Sequence, residues 1–244
     1  MPTLRLDLEY DGAGFAGWAT QPGRRTVEAV LRSALVKVLG APADELRVAG
    51  RTDAGVSASA QVVSAVTTGA IDTHRLLRAL NGTLPDDVAV RRVTHAPDGF
   101  DARTDARSRA YEYRLLPGPP SPLRRTGVLN LSWQQDRPAL RACAAAVVGR
   151  HDFRAFTPSK TRHQFFDRTV LVCDWVDRDD ELVLMIEANA FLRHMVRILV
   201  GSMLLVGRGH WNVAQFTGLL DGAPRSAAGP TAPAHALTLV AVRY

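Results

Sequence analysis

Residues 47–63 read RVAGRTDAGVSASAQVV, and the fold turns on how this stretch divides. "ELRVAG" at 45–50 and "SAQVVSAV" at 59–66 read as strand ends, while "RTDAGV" between them carries turn formers. Strand, turn and strand with no helix between them break a parallel βαβ rhythm. Asp53 suits the turn, because its side chain can close an Asx hydrogen bond and Gly55 can take a positive φ. Asp-x-Gly turns are common, so on these residues alone Asp53 reads first as a turn former. The second reading makes it a carboxylate placed for chemistry, ionised though shielded from water. Burial raises a carboxyl pKa, so a cation must oppose the shift, and Arg51 is the local candidate. Gly50, Ala54, Gly55, Ser57 and Ala58 leave room for a substrate beside it.

Upstream, "LRLDLEY" alternates Leu4, Leu6, Leu8 and Tyr10 with Arg5, Asp7 and Glu9, the pattern of a half-buried strand. "DGAGFAGW" is a glycine-rich loop. Thr26 then caps a helix that runs to Leu39, stops at Gly40 and buries Val27, Val30, Leu31, Ala34, Leu35 and Val38. Asp72 caps a shorter helix to Leu80, and "VAVRRV" follows as a strand. Downstream, "FDARTDARSRAYEYRLL" is a basic stretch entering a strand, and "PGPPSPLRRTG" is a loop by composition. A helix over 138–148, strands near 168–177 and 181–188, a long helix from about Phe191 to Val206, a helix near 213–220 and a final strand "ALTLVAVRY" complete the chain. Helices and strands intermix without a regular parallel alternation, which favours α+β, with two similar halves joined near residue 104.

The chain has 244 residues, 46% of them hydrophobic and 22% charged, the profile of a globular protein with a sizeable core. "MPTLRLDLEY" is unlike a secretory signal. The most apolar stretch, "AFLRHMVRILVGSMLLVG", carries Arg193, His194 and Arg197, so no membrane span is expected. Cys143 and Cys173 are the only cysteines, which suits a reducing cytosol. The seven histidines are scattered and form no metal-ligand spacing. A net charge of +6, nearly all of it arginine with lysine only at 37 and 160, fits a polyanionic partner. It fits a base-biased genome equally well.

Two further segments carry chemistry. In "RSRAYEYRLL", Tyr111 and Tyr113 share one face of a strand. Core or edge aromatics are the usual fate of such residues. A stacking platform for nucleobases, worth about 1–3 kcal/mol per base, is the alternative, with Arg103, Arg107 and Arg109 close by for phosphates. In "FLRHMVRILVGSM", Arg193, Arg197 and Gly201 form one stripe on an otherwise apolar helix. Snorkelling to the surface explains such arginines; a carboxylate partner, for which Asp53 is a candidate, explains them too. His194 suits packing or an RNA contact. "GRHDF" at 149–153 reads as a helix exit and turn.

At these residues the sequence resembles the bacterial tRNA pseudouridine synthase A (TruA) family. "GRTDAGV" at 50–56 is similar to that family's catalytic loop and "EYDGAGFAGW" at 9–18 to its opening motif. "LNGTLPDDVAV", "FDARTDARSRAYEYRLL", "GRHDFRAF", "ANAFLRHMVRILVG" and "TAPAHALTLVAVRY" follow in the family's order, so the likeness spans essentially the whole chain. Departures are Ser57 where the family often has histidine, Ala19 where it has glutamine, Ala236 where it has glycine, and the stretch 157–167.

The resemblance implies two similar α+β halves with largely antiparallel sheets meeting at a central basic cleft. Residues 1–104 would carry the Asp53 loop, and residues 105–244 the tyrosine strand and the arginine helix. It implies a cytoplasmic homodimer that isomerises uridines 38–40 of the tRNA anticodon stem-loop to pseudouridine. The catalytic residue would be Asp53, and Tyr111, Arg51 and Arg197 would bind substrate. No metal or cofactor is expected, because the net reaction is redox-neutral. Two rivals stand beside this. A non-catalytic RNA-binding protein would use the same basic cleft and tolerate Asp53→Asn. A phosphotransferase would need an acidic metal cluster, which "RTDAGVS" does not offer.

Overall fold

The structure is a computed structural model that describes residues 2–42, 44–67, 69, 71–161 and 164–244. Within the divergent stretch 157–167, residues 162 and 163 lie outside the described residues. Along the chain come β1 (Thr3–Tyr10), α1 (Val27–Leu39), β2 (Asp44–Val48), β3 (Ser57–Val66), α2 (Thr73–Asn81) and β4 (Val88–Ala96). Then follow β5 (Ser108–Pro117), β6 (Leu129–Leu131), α3 (Arg137–Val147), β7 (Gly149–Asp152), β8 (Asp167–Arg178) and β9 (Glu181–Ala188). The last elements are α4 (Met195–Gly207), α5 (Val213–Thr217) and β10 (Leu237–Arg243). The chain divides into two units, Met1–Arg107 with Thr238–Tyr244, and Ser108–Leu237.

In the first unit the strands lie in the order β4–β1–β3–β10, with β2 also on β3. The alternation of β1 places Leu4, Leu6 and Leu8 at zero exposure, each burial contributing about 1.5–3 kcal/mol. Thr26 caps α1 by accepting from the Ala29 amide, and Gly40 ends the helix in the left-handed region at φ 75°. Val27, Leu31, Ala34 and Leu35 form its buried face, whereas Val30 and Val38 stay half-buried. Asp72 caps α2, which packs on β4. β10 joins β3 in parallel, Thr238 opposite Ser57 and Leu239 opposite Ala58.

The second unit is built on the antiparallel order β5–β9–β8–β7, with β6 parallel to β5. β8 and β9 are joined by the two-residue loop Asp179–Asp180, in which Asp179 takes φ 54°. α3 packs on β8 and against α4. Among the described residues, the named strands within each unit pair antiparallel except for β3–β10 and β5–β6, so the chain is α+β as its sequence indicates. No helix among the described residues is long and apolar enough to cross a membrane.

Two local readings change. "GRHDF" is not a turn: Gly149–Asp152 forms β7, paired with β8, with Gly149 at φ 114°. The long helix starts at Met195 rather than near Phe191, because His194 sits in the left-handed region at φ 61° and blocks extension toward the N-terminus. Arg193 is therefore exposed in a turn, while Arg197 is half-buried within α4. The Arg193–Arg197 stripe is broken.

Candidate active site

The loop between β2 and β3 carries Arg51 and Asp53 in the first unit. Asp53 is half-buried and Arg51 exposed. The Asp53 carbonyl accepts from the Val56 amide at 3.2 Å, and Gly55 takes φ 79°, so the turn expected from the sequence is present. Backbone contacts hold this turn from outside. The Trp18 amide donates to Thr52 O at 3.0 Å, and the Gly55 amide to Phe15 O at 3.2 Å. The Gly12 amide donates to Ser57 Oγ at 3.0 Å, so the serine found in place of the family's frequent histidine ties two loops together.

These contacts explain the glycines of "EYDGAGFAGW". A Cβ at Gly12 would stand 2.1 Å from Val56 O. One at Gly17, which has φ 101°, would stand 2.9 Å from Thr52 O and 3.1 Å from the Asp53 carbonyl carbon. The glycine-rich loop lies against the backbone of the Asp53 turn, and side chains there would push the two apart. Arg25 anchors the far side of that loop, with a bidentate pair to Asp87 at 2.7 and 2.8 Å and its guanidinium 4.0 Å from the Phe15 ring centroid. Those hydrogen bonds hold the Asp87 carboxyl below the usual carboxylate range.

Tyr111 and Arg197 belong to the second unit. Tyr111, opposite Ile186 in the β5–β9 ladder, is 8% exposed and meets Phe191 edge-on at a centroid distance of 5.2 Å. Tyr113 is fully buried and donates to Pro233 O at 2.9 Å, the role of a core tyrosine. Burial raises its pKa well above the usual phenol value, and the charge of Arg197 opposes that rise. Arg197 Nε donates to Ala232 O at 2.8 Å, and the Ala232 amide returns a bond to Arg197 O at 3.0 Å. Gly201 permits this strap, since a Cβ there would stand 1.8 Å from Pro230 O. Part of the arginine is thus structural. On the other face of β5, Glu112 is taken by Arg178, and Arg114 by the buried Glu181.

Sequence reasoning read Tyr10 only as part of a strand face and passed over Thr52 and Gln61; the three form a buried hydrogen-bonded group behind the Asp53 turn. One signal was present: a glutamine in the apolar run of β3, where an amide is buried only with partners.

The family model described as tRNA pseudouridine synthase matches residues 8–105 and 143–244. The chain belongs to that family. Arg51, Asp53 and Arg197 lie within the matched stretches and Tyr111 in the interval between them. The tRNA pseudouridine synthase A of Frankia casuarinae is 44% identical over 244 residues, covering 99% of this chain and 89% of that one. The namesake from Chloroflexus aurantiacus is 42% identical, covering 100% and 89%. A Methylobacterium relative of the same name is 39% identical, covering 100% and 98%. Among solved structures, a chain of the archaeal box H/ACA sRNP Nop10–Cbf5 complex aligns at TM-score 0.36 and 14% identity, covering 82% of this chain and 43% of that one, too weak a likeness to carry an argument. As a pseudouridine synthase, the protein is an isomerase.

Proposed function

We propose that the protein isomerises uridines 38–40 in the anticodon stem-loop of tRNA, with Asp53 as the catalytic carboxylate. The observation that carries this is Asp53 itself, a half-buried acid in a family-matched segment, on a turn that glycine backbone contacts hold in place. In the reaction the N1–C1′ bond breaks, the base turns, and C5 joins C1′ with loss of the C5 proton. Breaking that bond builds positive character at C1′, which an ionised carboxylate stabilises or traps. Abstraction of the 2′ hydrogen is the other route open to the same group.

Tyr111 is proposed to hold the detached uracil and to assist removal of the C5 proton. Arg51 and Arg197 are proposed to bind substrate, at the phosphates beside the target uridine. The target uridine must leave its stack to reach such a site. The working form is proposed to be a cytoplasmic homodimer whose partner is tRNA. Uridine-C5-tritiated tRNA tests the reading, because pseudouridine formation releases the label. Release from anticodon-arm uridines supports it, and no release from any tRNA leaves the RNA-binding alternative. Tyr111→Ala is expected to lower turnover more than tRNA affinity; equal losses in both would reduce Tyr111 to a platform.

A further inference from the structure

Behind the Asp53 turn stand three buried side chains from different elements: Tyr10 at the end of β1, Gln61 inside β3, and Thr52 in the loop. Their exposures are 3%, 0% and 7%. Gln61 Nε2 donates to Gly50 O at 2.7 Å and to the Tyr10 hydroxyl at 3.2 Å, while its Oε1 accepts from the Val62 amide. Swapping the amide atoms would set a carbonyl against Gly50 O and an N–H against Val62 N–H, so the network fixes the orientation. The Tyr10 and Thr52 hydroxyl oxygens are 2.8 Å apart. The phenol oxygen accepts from Gln61 and shares a hydrogen bond with Thr52 Oγ1 in which either hydroxyl can donate.

The hydrogen-bonded chain runs from Gln61 through Tyr10 to Thr52, the residue immediately before Asp53. Thr52 is held by its side chain from beneath and by its carbonyl, which accepts from Trp18, from outside. Gly50 is held by Gln61. A satisfied buried network of this kind rigidifies what it touches. Catalysis demands such rigidity, since a displacement of about 1 Å can cost about 100-fold in rate.

We propose that Gln61, Tyr10 and Thr52 act as a positioning relay that sets the Asp53 carboxylate, governing turnover and not RNA affinity. The proposal rests on the reading of Asp53 as the catalytic carboxylate. Thr52→Val keeps the shape and removes the hydroxyl; Thr52→Ser restores it. On C5-tritiated tRNA, Thr52→Val is expected to lower kcat by about 10–100-fold with KM within about twofold of wild type. Thr52→Ser should recover most of the loss. Tyr10→Phe should resemble Thr52→Val, and the double variant should be no worse than the poorer single one, as expected of groups acting as a unit. Wild-type kcat in Thr52→Val overturns the relay. So do parallel changes in kcat and KM, or failure of both Thr52→Val and Tyr10→Phe to fold, which would make the group a stability device. Asp53→Ala, run alongside, separates the two claims. If it keeps wild-type activity the catalytic reading fails; if it is inactive while Thr52→Val is unaffected, only the relay fails.

Discussion

Asp53 illustrates what a single residue discloses and what it withholds. Its turn was legible, because aspartate two positions before a glycine has few competing uses. The support beneath it was not, because Tyr10 and Gln61 acquire meaning only when β1 and β3 pair and bring them to Thr52. The buried phenol also has a pH signature. Burial pushes the Tyr10 hydroxyl up to about 12, above its ordinary value of 10.0. A folded-state pKa above the unfolded one gives stability that is whole below about pH 10 and is lost as pH rises through about 12. At neutral pH, Tyr10→Phe should cost about 1–3 kcal/mol through the unpaired Thr52 and Gln61 groups. Denaturant titrations should show the gap between wild type and Tyr10→Phe narrowing above about pH 10; a constant gap would contradict the assignment. At Gly12, alanine would force the opening loop off Val56, so Gly12→Ala should impair both activity and thermal stability.

At the scale of elements, legibility followed length and pattern. α1 is readable from cap to cap, since Thr26, an apolar stripe and Gly40 mark it independently. Thr26→Ala should cost about 0.5–1 kcal/mol and lower Tm by a few degrees, the low end reflecting a 3.4 Å capping bond. No change in a thermal melt would mean the cap is idle. β6 and β7, of three and four residues, are too short to display an alternation. The start of α4 was misread because apolar residues at 191 and 192 continue the helical period. The period carries no trace of the left-handed His194 or of the Phe191 ring turned onto Tyr111. Composition did reveal that α4 is buried, and Gly201 and Gly207 within it are where neighbours approach too closely for a Cβ.

For the whole molecule, the arginine-rich charge is divided by the structure. Arg25, Arg32, Arg114, Arg124, Arg137, Arg141 and Arg178 are engaged with carboxylates, so much of the excess visible in the sequence serves the fold. Arg51, Arg75, Arg78, Arg92 and Arg107 are exposed, and among the described residues none of them forms an ion pair. If these meet phosphates, tRNA affinity should fall steeply with salt, and Arg51→Ala should reduce the log–log slope by about 1. A slope unchanged by Arg51→Ala would remove Arg51 from the RNA contact. The α+β class was legible because strand and helix patterns intermix. The return of β10 to β3 was not, because no local pattern names a strand's distant neighbour.

The central claim is that Asp53 acts as a catalytic carboxylate and not merely as a turn former. Asp53→Asn preserves the side chain's shape and its capacity to accept a hydrogen bond while removing the charge. Single-turnover tritium release from C5-labelled tRNA, with tRNA affinity measured in parallel, is the most direct test. The expected result is a loss of at least about 1000-fold in release, with affinity within about threefold of wild type. Release by Asp53→Asn at the wild-type rate would contradict the account.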